Sequence, residues 1–419
     1  MEFSKRLLDI ADKAERELDP IFRDIDRIEF ENLQKVMNGF SDHKVAATMF
    51  DSTSGYGYDD RGRDTLDLIW ADVMGAEAAL VRHNIVSGTH ALTIGLFGIL
   101  RPGDIMFSIA GKPYDTLEEV IGISGNPGDG SLRDFGVEYM QADLTDDGFD
   151  FVAIEKGLRE NMGRVKMAFI QRSKGYLNRK TLTVSEIGEA VNFVKSISPE
   201  TYVVIDNCYG EFVETVEPTA VGADLIIGSL IKNPGGGMAE SGGYFAGTAK
   251  AIELVSYRLT SPGVGGEVGA TLGQNKNLYK GLFYAPHTVA QAIKTAHFAA
   301  YVFEELGFDV EPRWQDRRSD IIQTVITRHP EKLCAFCRGI QAGSPVDSFV
   351  TPVPWAMPGY SDEVIMAAGA FTQGSSIELS ADGPLREPYT AFFQGGLTYQ
   401  SGRIGILSAA QAMLDANLL

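Results

Sequence analysis

The sequence contains little cysteine. Its three cysteines, Cys208, Cys334 and Cys337, are too few to imply a disulfide framework in a chain of 419 residues, and they suit a reducing compartment. Cys334 and Cys337 have C-x-x-C spacing, but a four-thiolate zinc site needs a second pair, which the sequence lacks. A redox or metal role for this pair is therefore disfavoured, and no metal site is predicted.

Long hydrophobic runs are missing as well, since no apolar stretch approaches the ~20 residues of a membrane helix. The first residues carry no hydrophobic signal-peptide core, because acidic side chains recur from Asp9 onward. Basic residues are outnumbered, with 37 Lys and Arg against 56 Asp and Glu and a net charge of −19. This charge disfavours nucleic acid and anionic membranes as partners. We expect a soluble, cytoplasmic protein.

The remaining composition is that of a globular protein, with 44% hydrophobic and 22% charged residues. A chain of this length exceeds the usual size of one domain, so two packed lobes are expected. Residues 1–55 predict an N-terminal helical arm that is interrupted at Pro20. Residues 56–286 predict a large α/β domain, and residues 287–419 a smaller α+β domain.

Short apolar strands alternate with helices from about residue 65. This alternation is typical of a mostly parallel sheet covered by helices on both faces, in which ligands bind at the carboxyl ends of the strands. The predicted strands are 79–86, 104–110, 137–141, 166–171, 202–205 and 224–228, and two further strands, 320–328 and 375–379, are predicted in the smaller domain. The residues that follow each strand are therefore the candidates for a functional site.

Polar side chains follow two of these strands. Ser87-Gly88-Thr89 opens a helix, whose free N–H groups and positive end predict an anion site. The segment matches neither a P-loop nor G-x-G-x-x-G, so a nucleotide is not expected, and Ser-Gly-Thr is also an ordinary N-cap. Asp206 follows a second strand, where burial raises the pKa of a carboxyl that no cation pairs with, although Asp also serves as a cap or turn residue.

Lys232 follows a third strand, one turn after Gly228-Ser229 and just before Asn-Pro-Gly-Gly-Gly. A solvated loop lysine is the simplest alternative. An anion site, a carboxylate and a lysine at successive strand ends nevertheless meet the needs of pyridoxal 5'-phosphate, because its phosphate, its ring nitrogen and its aldehyde require these three groups. We therefore predict this cofactor, with Lys232 as its Schiff-base lysine.

The same residues resemble motifs of the fold-type-I pyridoxal-phosphate enzymes. Within them the chain resembles the cystathionine lyase and methionine γ-lyase branch, specifically the distant relatives known as aluminium-resistance or methionine γ-lyase-like proteins. The resemblance runs from about Tyr56 to the C-terminus. The matching motifs are Ser87-Gly88-Thr89 (Ser-Gly-Met in the branch), Tyr114, Asp206-Asn207 and Ser229-x-x-Lys232.

The resemblance implies a fold-type-I fold, with a large, mostly parallel seven-stranded sheet, and a carbon–sulfur lyase that acts on a sulfur-containing amino acid. In that mechanism Asp206 keeps the ring protonated, Tyr114 stacks on it and donates a proton to the leaving thiol, and Ser229 adds a phosphate ligand. Lys232 abstracts the α-proton after the substrate amine displaces it.

The segment from Tyr58 to Thr65 is similar to the branch's Tyr-Ser-Arg-x-Gly-Asn-Pro-Thr, whose Tyr and Arg reach the phosphate of the neighbouring subunit. The resemblance thus implies that Tyr58 and Arg61 bind cofactor across a homodimer or homotetramer interface. Arg61 is displaced by one residue, which leaves Arg63 as a rival, and a solvated surface loop is the alternative.

An amino-acid substrate presents a carboxylate, which a bidentate arginine recognises best. Arg386 is the first candidate and Arg403 the second, although either could form a surface ion pair instead. The segment Gln171–Tyr176 and the glycines after Lys232 depart from the lyase pattern, so we expect a different substrate pocket.

Two other functions remain open from the sequence. The same cofactor supports transamination, racemisation and aldol-type cleavage, because all proceed through an α-carbanion. A catalytically silent binding protein of this fold is a third possibility, against which the intact Lys232 and Asp206 count.

Overall fold

The computed structural model describes residues 2–177, 179–357 and 360–419. Its α-helices are α1 (Lys5–Asp42), α2 (Arg61–Met74), α3 (Gly88–Ile99), α4 (Asp115–Ile121), α5 (Phe151–Glu160), α6 (Val184–Ile197), α7 (Ala249–Leu259), α8 (Asn275–Glu305), α9 (Pro330–Ala342) and α10 (Tyr399–Asp415). Its strands are β1 (Ala78–Arg82), β2 (Ile105–Ser108), β3 (Glu138–Gln141), β4 (Leu144–Thr145), β5 (Gly148–Phe149), β6 (Val165–Gln171), β7 (Tyr202–Asp206), β8 (Leu225–Ser229), β9 (Gly243–Gly247), β10 (Asp309–Glu311), β11 (Gln323–Ile326), β12 (Trp355–Ala356), β13 (Glu363–Ala367), β14 (Ser380–Pro384) and β15 (Thr390–Gln394).

The large domain is built on a seven-stranded sheet with the order β1-β9-β8-β7-β6-β2-β3. Its strands are parallel except β9, which runs antiparallel to both β1 and β8. Both faces are covered: Val203 and Ile205 pack in one hydrophobic layer, while Val204 packs in the other. Burial on both faces explains why these strands are short, continuous apolar runs. The predicted α/β fold is confirmed.

Strand β9 and helix α7 were not predicted from the sequence. Glycine begins and ends the strand, which weakens its apolar signal, and Gly247 has room for no side chain because a Cβ there would lie 2.1 Å from the Asp224 carbonyl. The strand forms despite this weak signal, because both edges of β9 are hydrogen-bonded to neighbouring strands.

The C-terminal part contains an antiparallel sheet with the order β10-β11-β15-β14-β13-β12, packed against α8, α9 and α10. The strand predicted at residues 375–379 is wrong, because this segment forms turns. The Glu378 carboxylate accepts the backbone N–H groups of Phe371 and Thr372 at 2.6 and 2.9 Å, and these bonds hold the chain in a loop. Strand β14 begins directly afterwards.

Two prolines lie inside helices. Helix α1 continues through Pro20, where the sequence predicted an interruption, and α8 continues through Pro286, at the predicted domain boundary. Proline removes one helical hydrogen bond, and the buried faces on either side, such as Leu18 and Ile25 of α1, hold the helix together. The division at residues 55 and 286 therefore stays a prediction.

Candidate active site

A cavity of about 290 Å³ lies where the carboxyl ends of β7 and β8 meet the N-terminus of α3. Strands β13, β14 and β15 of the smaller sheet close its opposite side. Of the predicted residues, those that line it are Ser87, Gly88, Thr89, Tyr114, Asp206, Ser229 and Lys232. The topology thus brings together side chains that are up to 145 residues apart in the sequence.

The first turn of α3 forms the anion-binding end of the cavity. Ser87 is the N-cap, and its Oγ accepts the His90 N–H at 3.0 Å, while the Thr89 hydroxyl lies 2.8 Å from the Thr116 hydroxyl. His90 Nδ1 is paired with the Val86 N–H, so its ring has a local capping role. The helix dipole and free N–H groups of this turn favour an anion.

Two features of this end fit a phosphate group. The Ser229 hydroxyl is buried and has no hydrogen-bond partner within the described parts of the chain. Facing it, Gly88 leaves open a space in which a Cβ would lie 3.5 Å from Ser229 Cβ and 3.9 Å from Lys232 Nζ. An orphaned donor beside a helix N-terminus and a glycine suits a ligand rich in acceptor oxygens.

Lys232 projects into the cavity next to this phosphate-sized space. Its Nζ lies 4.2 Å from the centroid of the Tyr209 ring, a cation–π contact. Burial lowers the pKa of Lys232, but Cys208, Tyr209 and Asp206 outweigh burial and raise the pKa above its ordinary value. In this structure the lysine is therefore an ammonium group among acidic neighbours.

Asp206 ends β7 and is almost fully buried. Burial raises its pKa, and the nearby Lys232 ammonium lowers it in part. Its Oδ1 accepts the Cys208 N–H at 3.1 Å, which fixes the carboxylate. A carboxylate held in this way, one strand away from a lysine, can stabilise a protonated ring nitrogen.

A buried network of hydrogen bonds and ion pairs lies next to the end of β7. Arg172 is fully buried and donates to Asn207 Oδ1 at 2.9 Å and to Glu214 Oε1 at 2.9 Å, while Asn207 Nδ2 donates to Glu217. Glu211 lies nearby, and burial raises its pKa to about 8. Of these residues, Arg172 belongs to the segment Gln171–Tyr176 that departs from the lyase pattern, and its backbone N–H donates to the Asp206 carbonyl at 3.1 Å.

The opposite side of the cavity is aromatic. Tyr114 follows β2, as predicted, and its hydroxyl lies 2.7 Å from that of Tyr360. Tyr176 lies 5.9 Å from Tyr114 between ring centroids, and Phe392 lies 4.9 Å from Tyr176. Burial raises the pKa of Tyr114 well above its ordinary value, so this hydroxyl is a proton donor at neutral pH.

The two candidate substrate arginines do not line this cavity. Arg386 pairs with Asp362 at 2.8 Å and lines an adjoining cleft, where its charge also acts on Asp115 beside Tyr114. Arg403 lies on α10, 3.4 Å from Glu15 of α1. Arg386 is thus near the cavity and Arg403 is part of the contact between two helices. Their roles toward substrate stay predictions.

Tyr58 and Arg61 lie on the surface at the start of α2, and Tyr58 is 61% exposed. Arg63, the alternative to Arg61, is buried, and its guanidinium group donates to the carbonyls of Gly57 and Gly269 at 2.7 and 3.1 Å. Arg63 therefore holds two loops together, which leaves Arg61 as the arginine available to a neighbouring subunit.

The glycines after Lys232 have a packing role. A Cβ on Gly235 would lie 1.7 Å from the Leu230 carbonyl, and one on Gly236 would lie 2.4 Å from the Gly281 carbonyl of α8. Gly236 and Gly237 also have positive φ. None of the three lines the cavity.

Sequence reasoning missed the residues on the substrate side of the cavity. They come from loops and from the antiparallel sheet, where no strand-end rule applies. The sequence offered one indication of this side: the segment Gln171–Tyr176, which departs from the lyase pattern, contains an aromatic residue, Tyr176. The missed lining residues include Tyr176, Tyr209, Ser375, Ser376, Tyr360 and Asp382.

The described residues contain no cluster of His, Cys, Asp and Glu suited to a metal ion. Cys334 and Cys337 are both buried on α9 within the apolar core of the smaller domain. Among the helices described above, none is long and apolar enough to cross a membrane.

Comparison with known proteins gives close relatives over almost the whole chain. The Bacillus subtilis (strain 168) protein YnbB is 52% identical over 410 residues, which cover 98% of this chain and 97% of YnbB. A structure from Clostridium novyi NT, named a carbon-sulfur lyase involved in aluminum resistance, is 50% identical, with a TM-score of 0.94 and coverage of 98% and 96% of the two chains. A candidate cystathionine beta-lyase involved in aluminum resistance from Clostridium acetobutylicum is 46% identical, with a TM-score of 0.96 and the same coverage.

A more distant likeness concerns the fold alone. The pyridoxal-5'-phosphate dependent protein YhfS of Escherichia coli is 15% identical, with a TM-score of 0.62 over 94% of this chain and 97% of YhfS. The family model described as methionine gamma-lyase matches residues 7–414. The resemblance predicted from the sequence is confirmed: this chain belongs to the methionine gamma-lyase family.

Proposed function

We propose that the protein is a pyridoxal-phosphate-dependent carbon–sulfur lyase that acts on a sulfur-containing amino acid. One observation carries the proposal: Lys232, Asp206 and the N-terminus of α3 converge on a single cavity, beside an unpartnered Ser229 hydroxyl. Membership of the family supports the reaction class.

Different residues of the cavity would hold different parts of the cofactor. Ser87, Gly88, Thr89 and Ser229 would bind the phosphate, and Asp206 would keep the ring nitrogen protonated. Lys232 would hold the cofactor at its aldehyde carbon. When bound, the cofactor supplies an electron sink for negative charge on the substrate α-carbon.

Two side chains would then act on protons, and a third would orient one of them. With the substrate held through its amine, the Lys232 amine would take the α-proton. Tyr114, whose raised pKa keeps its hydroxyl protonated, donates to the departing sulfur. Tyr360, 2.7 Å from the Tyr114 hydroxyl, orients that donor.

The active protein is proposed to be a homodimer or a homotetramer. Exposed Tyr58 and Arg61 would contact the phosphate of a neighbouring subunit, while Arg63 is held within its own chain.

A panel of amino acids tests the function. Purified protein is incubated with methionine, cystathionine, alanine and serine, while products and the absorbance of the bound cofactor are recorded. Release of a thiol with a keto acid and ammonia is expected. Conversion of the cofactor to its amine form would support a transaminase instead, and full cofactor loading without turnover of any amino acid would support a binding protein.

A further inference from the structure

The substrate side of the cavity combines three tyrosine rings. The centroids of Tyr114, Tyr176 and Tyr360 form a triangle with sides of 5.9, 5.8 and 6.2 Å. We call these three residues the tyrosine cluster. Each ring has a negative face, and such a group attracts a cation that enters among the rings.

A buried carboxylate adjoins the tyrosine cluster. Asp382, on β14, lines the cavity and is only 9% exposed. Its Oδ1 is buried without a hydrogen-bond partner in the described chain. Burial raises its pKa to about 6, and interactions with Tyr176 and Gln394 offset part of that effect. At neutral pH the carboxylate is mostly ionised.

No cation of the described cavity lining balances this charge. Lys232 is the cationic side chain among those residues, and it lies at the cofactor end among Asp206, Cys208 and Tyr209. The nearby Arg386 is already paired with Asp362. A buried carboxylate with one unpartnered oxygen and no cationic partner is costly, so it indicates a cation that arrives with the ligand.

We propose that Asp382 and the tyrosine cluster recognise a positive charge in the substrate's side chain. The substrate is then a sulfur amino acid with a second cationic centre, either an ammonium or a sulfonium group. This inference rests on the proposed function and narrows its substrate class. Asp382 determines specificity and takes no part in bond breaking.

The test uses the holoenzyme and two matched substrate pairs. S-methylmethionine and methionine differ by a methyl group and a positive charge, and S-(2-aminoethyl)cysteine and S-propylcysteine differ by an ammonium in place of a methyl group. A hydrogen-bonded or cation–π contact to a charge predicts a kcat/KM at least ~10-fold higher for the cationic member of one pair. The pair that shows the preference identifies the cation as sulfonium or ammonium.

Variants assign the preference to the carboxylate. Asp382→Asn is expected to reduce the preference to less than ~3-fold, mainly through a lower kcat/KM for the cationic member. Asp309→Asn is the control, because that carboxylate lies outside the cavity and pairs with Arg328. Should Asp382→Asn fail to fold, Tyr360→Leu removes one ring and is expected to reduce the same preference.

Two results would overturn the inference: equal kcat/KM within both pairs, or an equal loss on both members in Asp382→Asn. Failure of the lyase proposal is a separate result. If no amino acid yields a keto acid and ammonia together with a thiol or thioether, dissociation constants of the same pairs, measured by calorimetry on the cofactor-loaded protein, still test the charge preference.

Discussion

The two ends of the cavity differ in how they are built. At the cofactor end, Ser87, Asp206 and Lys232 follow strands of the large sheet, and the Arg172 backbone N–H donates to the Asp206 carbonyl. At the substrate end, Tyr176, Tyr360 and Asp382 come from two loops and an antiparallel strand.

This difference indicates which end of the cavity is positioned by the topology of the sheet. Parallel strands that are buried on both faces end at one edge of the sheet, so their following residues converge for topological reasons. The substrate end is assembled across two lobes, and its residues can change without disturbing the sheet. We therefore expect the chemistry common to the family at the first end and substrate choice at the second.

The largest effect is expected at the cofactor end. Lys232→Ala removes the amine that bonds the cofactor and moves the proton, so kcat should fall at least ~1,000-fold, with loss of the absorbance band of the lysine-bound cofactor. Lys174→Met is the control, because Lys174 is a buried lysine outside the cavity, 3.8 Å from Glu311. An unchanged band in Lys232→Ala would contradict the assignment.

A smaller loss is expected from Gly88→Ala. The new Cβ would lie at ordinary contact distance from Ser229 Cβ, 3.5 Å, so the protein should fold normally. The methyl group nevertheless fills the space assigned to the phosphate, and the dissociation constant of the cofactor should rise about 10- to 100-fold. Equilibrium dialysis measures it. Unchanged cofactor affinity together with an unchanged melting temperature would place the phosphate elsewhere.

At the substrate end, variants of Arg386 and Arg403 distinguish substrate binding from helix packing. If Arg386 binds the substrate carboxylate, Arg386→Ala should raise KM about 10-fold or more with little change in kcat. Arg403→Ala should leave KM unchanged and lower the melting temperature slightly, since Arg403 contacts Glu15 of α1. Unchanged KM in both variants would remove both from the substrate site.

The smallest effect concerns pH and the support beneath the cofactor end. The pKa of Glu211 is about 8 in the folded protein, against an ordinary 4.5, because burial disfavours its charge. Its neutral form stabilises the fold fully below about pH 4.5, and this contribution is lost as the pH rises toward 8. Glu211→Gln should therefore gain stability relative to wild type between pH 5 and 8.5, by ~1.4 kcal/mol per pKa unit at most. A pH-independent difference in melting temperature would contradict this.

The sequence by itself determined the alternation of strands and helices and the cofactor end of the cavity. Ser87, Asp206 and Lys232 each follow a short apolar run, and such runs form the strands of a buried sheet. The antiparallel strand β9 was not predicted because its glycines weaken the apolar signal. Pro20 was wrongly interpreted as a helix break, since packing compensates one lost hydrogen bond.

Only the tertiary structure decided the substrate end. Asp382 and Tyr360 carry no local signal, because a carboxylate in a strand or a tyrosine in a loop becomes a recognition group only when folding buries it beside others. The same holds for Arg63 and Arg61, which are alike in sequence and differ in burial. Burial, which costs a charge its hydration, is a property of the assembled chain and not of its local pattern.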